Sequence, residues 1–252
     1  MSQHLYVLTG GSRGMGLAIA EQLLQRGNTL ICISRNTNAT LTEQAQKVGA
    51  HLEQWSHDLA DGASASETLK KWLLLQDSTQ LQSATLINNA GVIPTIAPLS
   101  QADPNNLAMA LRVGLEAPMQ LCAAFLGATE NWNLPRKVVN ISSGLGRRAM
   151  ASQAGYCAAK AGMDHFTRCL ALDEALKPNG AKVTSLAPGV IDTDMQVQLR
   201  GAAPENFPDQ NGFQQLKATG MLTSPADAAK RILDYMARPD FGSQPVSDVR
   251  DA

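Results

Sequence analysis

Short, nearly unbroken apolar runs alternate along this chain with longer stretches in which apolar positions recur every three or four residues. Runs of the first kind cover residues 5–9, 29–34, 52–57, 84–88, 137–142 and 182–187. Their length and β-branched content predict strands, and several are apolar on both faces, as suits a parallel sheet buried on both sides. Stretches of the second kind, at 15–26, 41–48, 64–75, about 107–128 and 155–176, predict helices. Ser224-Pro225-Ala226-Asp227 reads as an N-cap followed by proline at the first helical position, opening a further helix toward Met236. Such alternation implies right-handed crossovers and an α/β fold: a single-domain, Rossmann-like, doubly wound parallel sheet flanked by helices, over residues 1–252. A Pro-, Gly- and Asn-containing segment near 202–212 breaks the pattern. It is expected as a substrate lid, within about 195–222, or as an ordinary surface excursion.

Composition narrows the classes of partner. With 44% hydrophobic and 17% charged residues among 252, the chain can bury a large core. Its 21 basic and 22 acidic side chains nearly cancel and form no polybasic run, so neither nucleic acid nor a membrane surface is an expected partner. A small neutral molecule is. Cys32, Cys122, Cys157 and Cys169 lack metal-site spacing and fall in apolar stretches, which predicts reduced core residues and no metal. No basic-then-apolar leader and no apolar run near about 18 residues is visible, so a soluble, cytoplasmic protein is expected.

The turn out of the first predicted strand reads Thr9-Gly10-Gly11-Ser12-Arg13-Gly14-Met15-Gly16. Glycines there permit a tight turn, close approach of backbone N–H groups to a pyrophosphate, and close helix–strand packing. Gly10, Ser12, Arg13, Gly14, Met15 and Gly16 are therefore candidate cofactor-binding residues. The second strand ends Cys32-Ile33-Ser34-Arg35 without an acidic residue at its tip. A carboxylate there would take a ribose 2′-OH and repel a 2′-phosphate, whereas Arg35, helped by Arg13, can pair with that phosphate. NADP(H) is thus expected over NAD(H). Asp58-Leu59 and Asn88-Asn89-Ala90-Gly91 follow the third and fourth strands. Asp58 and Leu59 could meet the adenine edge, while Asn89, Ala90 and Gly91 let the backbone pass near the cofactor; plain turn chemistry is the alternative.

Ser143 stands at the end of the fifth strand, with Tyr156 and Lys160 downstream and four residues apart. On a helix the last two share a face. A neighbouring ammonium would stabilise the Tyr156 phenolate and lower its pKa toward the working range of an acid–base catalyst. Lys160 would also hold the nicotinamide ribose, and Ser143 could donate to a substrate carbonyl and steady developing negative charge.

Taken in order, the TGxxxGxG turn, Asn88-Asn89-Ala90-Gly91, Ser143 and the Tyr156-xxx-Lys160 pair resemble the short-chain dehydrogenase/reductase family across nearly the whole chain. The resemblance implies hydride transfer to or from nicotinamide C4, Tyr156 as acid–base residue, and a homodimer or homotetramer paired through the two long helices. It also implies that Pro188 and Gly189 form the family's cofactor-binding turn, with the Val190 backbone and Thr193 contacting the nicotinamide carboxamide. One position departs: Gly114, in Arg112-Val113-Gly114-Leu115, stands where the family commonly has an Asn that holds a proton-relay water. From Pro188 onward the features are similar to sepiapterin reductases and to bacterial reductases of benzil and other 1,2-diketones. Leu145, Met195 and Asp248 are candidate substrate residues, with Asp248 alternatively a solvated tail charge. The expected function is an NADPH-dependent reductase of ketones or vicinal dicarbonyls. The alternatives are a sepiapterin reductase proper and a catalytically weak NADP(H)-sensing protein.

Overall fold

All six expected strands form, displaced by at most one residue at either end. In a computed structural model describing residues 3–251 they are β1 (His4–Thr9), β2 (Asn28–Ser34), β3 (His51–Ser56), β4 (Ser83–Asn88), β5 (Arg136–Ile141) and β6 (Lys182–Ala187). A seventh, β7 (Val246–Asp248), is too short to carry a periodic signal. The sheet is parallel throughout, in the order β3-β2-β1-β4-β5-β6-β7.

Helices α1 (Gly14–Leu23), α2 (Ala39–Val48), α3 (Gly62–Leu74), α4 (Pro104–Leu111), α5 (Ala117–Ala128), α6 (Ala154–Ala175) and α9 (Pro225–Ala237) cover the expected ones. Two more, α7 (Asp194–Arg200) and α8 (Gln210–Ala218), flank the Pro- and Gly-containing segment. The Ser224 cap is real: its hydroxyl accepts from Asp227 N at 3.0 Å, with Pro225 opening α9. Alternate strand residues enter opposite cores. Leu5, Val7, Ile31, Ile33 and Leu86 meet Leu69, Leu73, Leu121 and Phe125 from α3 and α5, whereas Leu8, Leu30, Ile87 and Val139 meet Ile19, Leu23, Ile232 and Tyr235 from α1 and α9. Each such burial contributes about 1.5–3 kcal/mol, which fixes strand register and with it the loops at the strand ends.

Two expectations change. Pro104–Ala128, running 25 residues through a π-helical turn at Arg112–Glu116, is long and apolar enough to cross a membrane by length and composition alone. Its apolar character serves the core: Ala117, Leu121, Cys122 and Phe125 are buried against the sheet and α3. Cys32 and Cys122 are buried free thiols as expected, but Cys157 is half-buried and Cys169 exposed, because α6 turns those positions outward.

Candidate cofactor and active site

The strand order reverses between β1 and β4, so the loops after these neighbours diverge and open a crevice beyond their C-terminal ends. Gly10 takes φ +72°, a left-handed conformation that glycine adopts without strain. The two loops are laced together: Thr9 Oγ1 accepts from the backbone N of Asn89 (2.9 Å) and Ala90 (3.0 Å), and Asn89 Nδ2 donates to the carbonyls of Thr9 (2.9 Å) and Gly10 (3.3 Å). The Asn89 amide is therefore spent on fixing the glycine turn. A Cβ on Gly16 would lie 2.0 Å from the Gly10 oxygen, so α1 can enter against the turn only because none is there. No side chain caps α1, and its first N–H groups are left for an outside acceptor. A backbone cradle beside an uncapped helix N-terminus fits a dinucleotide pyrophosphate.

The other candidates ring this crevice with differing roles. Thr193 Cγ2 lies 3.7 Å from the Cβ position of Gly14, and Lys160 Nζ the same distance from that of Gly91. Arg13 is ion-paired with Asp194 at 2.9 Å, both largely exposed, and Arg35 is exposed at the tip of β2. Ser12 and Met15 are half-buried at the turn into α1, while Pro188 is buried and Gly189 takes φ +86°. The Val190 carbonyl accepts from Thr223 N at 2.9 Å, which pins the loop after β6. Asp58 accepts from Ala60 N at 3.0 Å and Leu59 joins the core, so both also serve their turn.

Tyr156 (8% exposed) and Lys160 (4%) lie on the buried face of α6. Lys160 Nζ sits 5.8 Å from the Tyr156 ring centroid and donates to the Ile141 carbonyl at 2.7 Å. Burial pushes the Tyr156 pKa up to about 12, against a downward pull from a Ser143 hydrogen bond. The expected lowering by Lys160 does not occur in the free protein: the ammonium faces Ile141, and desolvation of the phenolate wins. Burial also lowers the Lys160 pKa to about 8, opposed by the charge of Asp164.

Asp164, which the sequence reading passed over, is one turn beyond Lys160 and 2% exposed. Its carboxylate accepts from Ser185 Oγ (2.6 Å) and Arg147 Nε (3.2 Å), and Arg147 also donates to the Ser247 carbonyl (2.8 Å). Its spacing of four from Lys160 was the available signal. A second buried chain runs from Asn88 Nδ2 to Asn140 Oδ1 (2.9 Å) and from Asn140 Nδ2 to Thr167 Oγ1 (2.9 Å), tying β4 and β5 to α6. Together these bonds set Ser143 and the Tyr156 helix in a fixed relation.

Leu145, half-buried on the turn after Ser143, and Met195, half-buried at the start of α7, flank the same loops. Asp248 is not a solvated tail charge: it is 5% exposed, and Arg250 donates to both its oxygens, at 2.8 and 2.6 Å. Gly114 is buried within the π-turn, and a Cβ there would come within 3.1 Å of Ala159 Cβ. Restoring an amide by Gly114→Asn would therefore force α4–α5 and α6 a few tenths of an ångström apart.

The short chain dehydrogenase profile matches residues 4–203. The chain is 36% identical over 235 residues to a benzil reductase ((S)-benzoin forming) of Bacillus cereus, covering 93% of this chain and 94% of that one. It is 32% identical to a sepiapterin reductase of Meriones unguiculatus, with 97% and 95% covered. In fold it is similar to a 3-oxoacyl-[acyl-carrier protein] reductase from Brucella melitensis in complex with NAD, at a TM-score of 0.81 and 22% identity over 99% of this chain and 96% of that one. With its glycine cradle, its Ser143, Tyr156 and Lys160 cluster and this extent of similarity, the chain belongs to the short-chain dehydrogenase/reductase family of oxidoreductases.

Proposed function

We propose that this protein is an NADPH-dependent reductase of ketones and vicinal dicarbonyls. The carrying observation is the burial of Tyr156 and Lys160 on one face of α6, with Lys160 Nζ 5.8 Å from the Tyr156 ring centroid and 3.7 Å from the Cβ position of Gly91, beside the dinucleotide cradle. Similarity to benzil reductases supports the dicarbonyl class. Bound in the cradle, NADPH supplies hydride from C4 to the carbonyl carbon. Ser143 donates a hydrogen bond to the carbonyl oxygen, and Tyr156 transfers its phenolic proton to that oxygen as the C=O π bond breaks, giving an alcohol. Lys160 holds the ribose and stabilises the resulting phenolate, which solvent reprotonates. A phenol whose pKa stands well above neutrality is fully protonated before each turnover, as reduction requires. Turnover of a panel of diketones, quinones and sepiapterin, followed by NADPH absorbance, tests the proposal; no consumption across the panel sinks it. The Arg250 clamp on Asp248 weighs against the pterin alternative, since a pterin edge would have to displace a bidentate guanidinium.

Arg35 is assigned to the 2′-phosphate. Arg35→Ala should weaken NADPH binding about tenfold with little change for NADH, and less so at high salt because the site is exposed. Equal binding of the two cofactors by the wild-type protein would remove the assignment.

Protonated Lys160 is the ribose-binding form. NADPH affinity should therefore fall as pH rises through the Lys160 pKa of about 8. Asp164 raises that pKa, so Asp164→Asn should move the fall to lower pH. Fluorescence titration of NADPH across the pH range checks both, and an unmoved profile in the variant counts against the coupling.

The lid assignment for 195–222 rests on its straps: Ser152 Oγ donates to the Asn206 carbonyl, and Lys217 pairs with Asp192. Assembly is assigned to the outer faces of α4–α5 and α6, where Met109, Leu111, Met119 and Leu172 are exposed. Sedimentation at micromolar concentration should give a dimer or tetramer; a monomer would remove this assignment alone.

A further inference from the structure

The residue just before α6 carries one more buried polar side chain, for which the steps above have no use. Gln153 is the N-cap residue of α6, its backbone non-helical at φ −123° and ψ 20° and its side chain making no cap bond; its carbonyl accepts from Cys157 N at 2.8 Å, and it is 1% exposed. Residues 153, 156 and 160 are spaced three and four apart, so the chain at Gln153 enters α6 on the side that carries Tyr156 and Lys160. Neither its amide nitrogen nor its amide oxygen has a hydrogen-bond partner. Among the described residues it is the one side chain with two buried polar atoms in that state. A primary amide carries two donors and an acceptor, and an interior that leaves all of them unmet calls for a ligand to complete them.

We infer that the Gln153 amide donates a hydrogen bond to the second oxygen of a vicinal dicarbonyl whose first oxygen is held by Ser143 and Tyr156, and so sets a preference for 1,2-diones over simple ketones. The inference rests on the carbonyl reduction proposed above. The two oxygens of a dione sit on bonded carbons, so a donor just before Tyr156 on the same face is placed for the oxygen that Tyr156 does not protonate. A simple ketone offers nothing at that point and leaves the amide unpaired, which is how a buried polar group discriminates against an analogue lacking its partner.

The test compares kcat/KM for diphenylethanedione and 1,2-diphenylethanone, which differ only in the second oxygen, in wild type and in Gln153→Leu. The dione value should fall about 10- to 100-fold and the ketone value change less than about twofold. The melting temperature should hold or rise, since no internal hydrogen bond is lost. Gln153→Met, of similar length and without a donor, should behave alike and carries the test if the Leu variant does not fold. Equal losses on both substrates, or an unchanged dione value, overturn the inference while leaving reduction by Tyr156 intact. Failure of the wild-type protein to reduce the dione overturns the function reading and this inference together.

Discussion

Tyr156→Phe should retain NADPH binding while turnover falls by about 10² to 10⁴, the scale of a lost general acid. The ring is buried and its packing survives the substitution, so only the hydroxyl is removed. Burial raises the pKa of that hydroxyl to about 12 and so holds it protonated. Losing one hydroxyl hydrogen bond should cost about 1 kcal/mol of stability, far too little to explain such a drop. Steady-state rates on a good diketone, paired with an NADPH fluorescence titration, separate the two effects. A wild-type rate in the Phe variant would place proton transfer elsewhere and sink the site assignment.

The elements that position this chemistry were legible because their signals are local. Burial on both faces makes the strands apolar runs, and the 3.6-residue period survives in α3 and α6, so their limits fall within a residue or two of expectation. The glycine turn and the Tyr156–Lys160 spacing were legible for the same reason: each signal lies within a few consecutive residues. What escaped depends on contacts distant in sequence. Arg147 reaches Asp164 and Ser247, 17 and 100 residues away, and no local pattern announces either bond. The same holds for Asn89, whose amide closes on Thr9 and Gly10 some 80 residues back. The short β7 gains its place by pairing with β6, at Ser185 with Val246, rather than from its own three residues.

The direction of the pKa shifts was also beyond a sequence reading. Counting Lys160 as a nearby charge predicts a lowered Tyr156 pKa; the desolvation that reverses it depends on the packing of α6 against β6 and the turn after Ser143. Both shifts favour the neutral form of their group, and both come from the same dry pocket. In the proposed reduction, such burial would strengthen the hydrogen bonds from Ser143 and Tyr156 to a carbonyl oxygen as charge develops there. It also makes holding an ammonium expensive, which is why Asp164 matters: its buried carboxylate partly offsets that cost and keeps Lys160 charged at neutral pH.

Lys160→Met is expected to lose activity by about 10²-fold or more and to weaken NADPH binding, yet to melt no lower than wild type near neutral pH. The stability half of that expectation follows from the sign of the shift. A base whose pKa drops from 10.5 to about 8 on folding imposes a cost on the order of 3 kcal/mol while it remains charged. Methionine fills similar space without the charge, and loses in exchange only the donor to the Ile141 carbonyl. The cost is full below pH about 8, shrinks as pH rises because the folded protein sheds the proton first, and is gone above 10.5. The stability advantage of the variant should therefore be greatest at pH 7 and narrow between pH 8 and 10. Chemical denaturation of both proteins at several pH values measures it. A variant destabilised at pH 7 by several kcal/mol would show that Lys160 is a structural tie rather than a charge retained, at a cost in stability, for the cofactor and the phenolate.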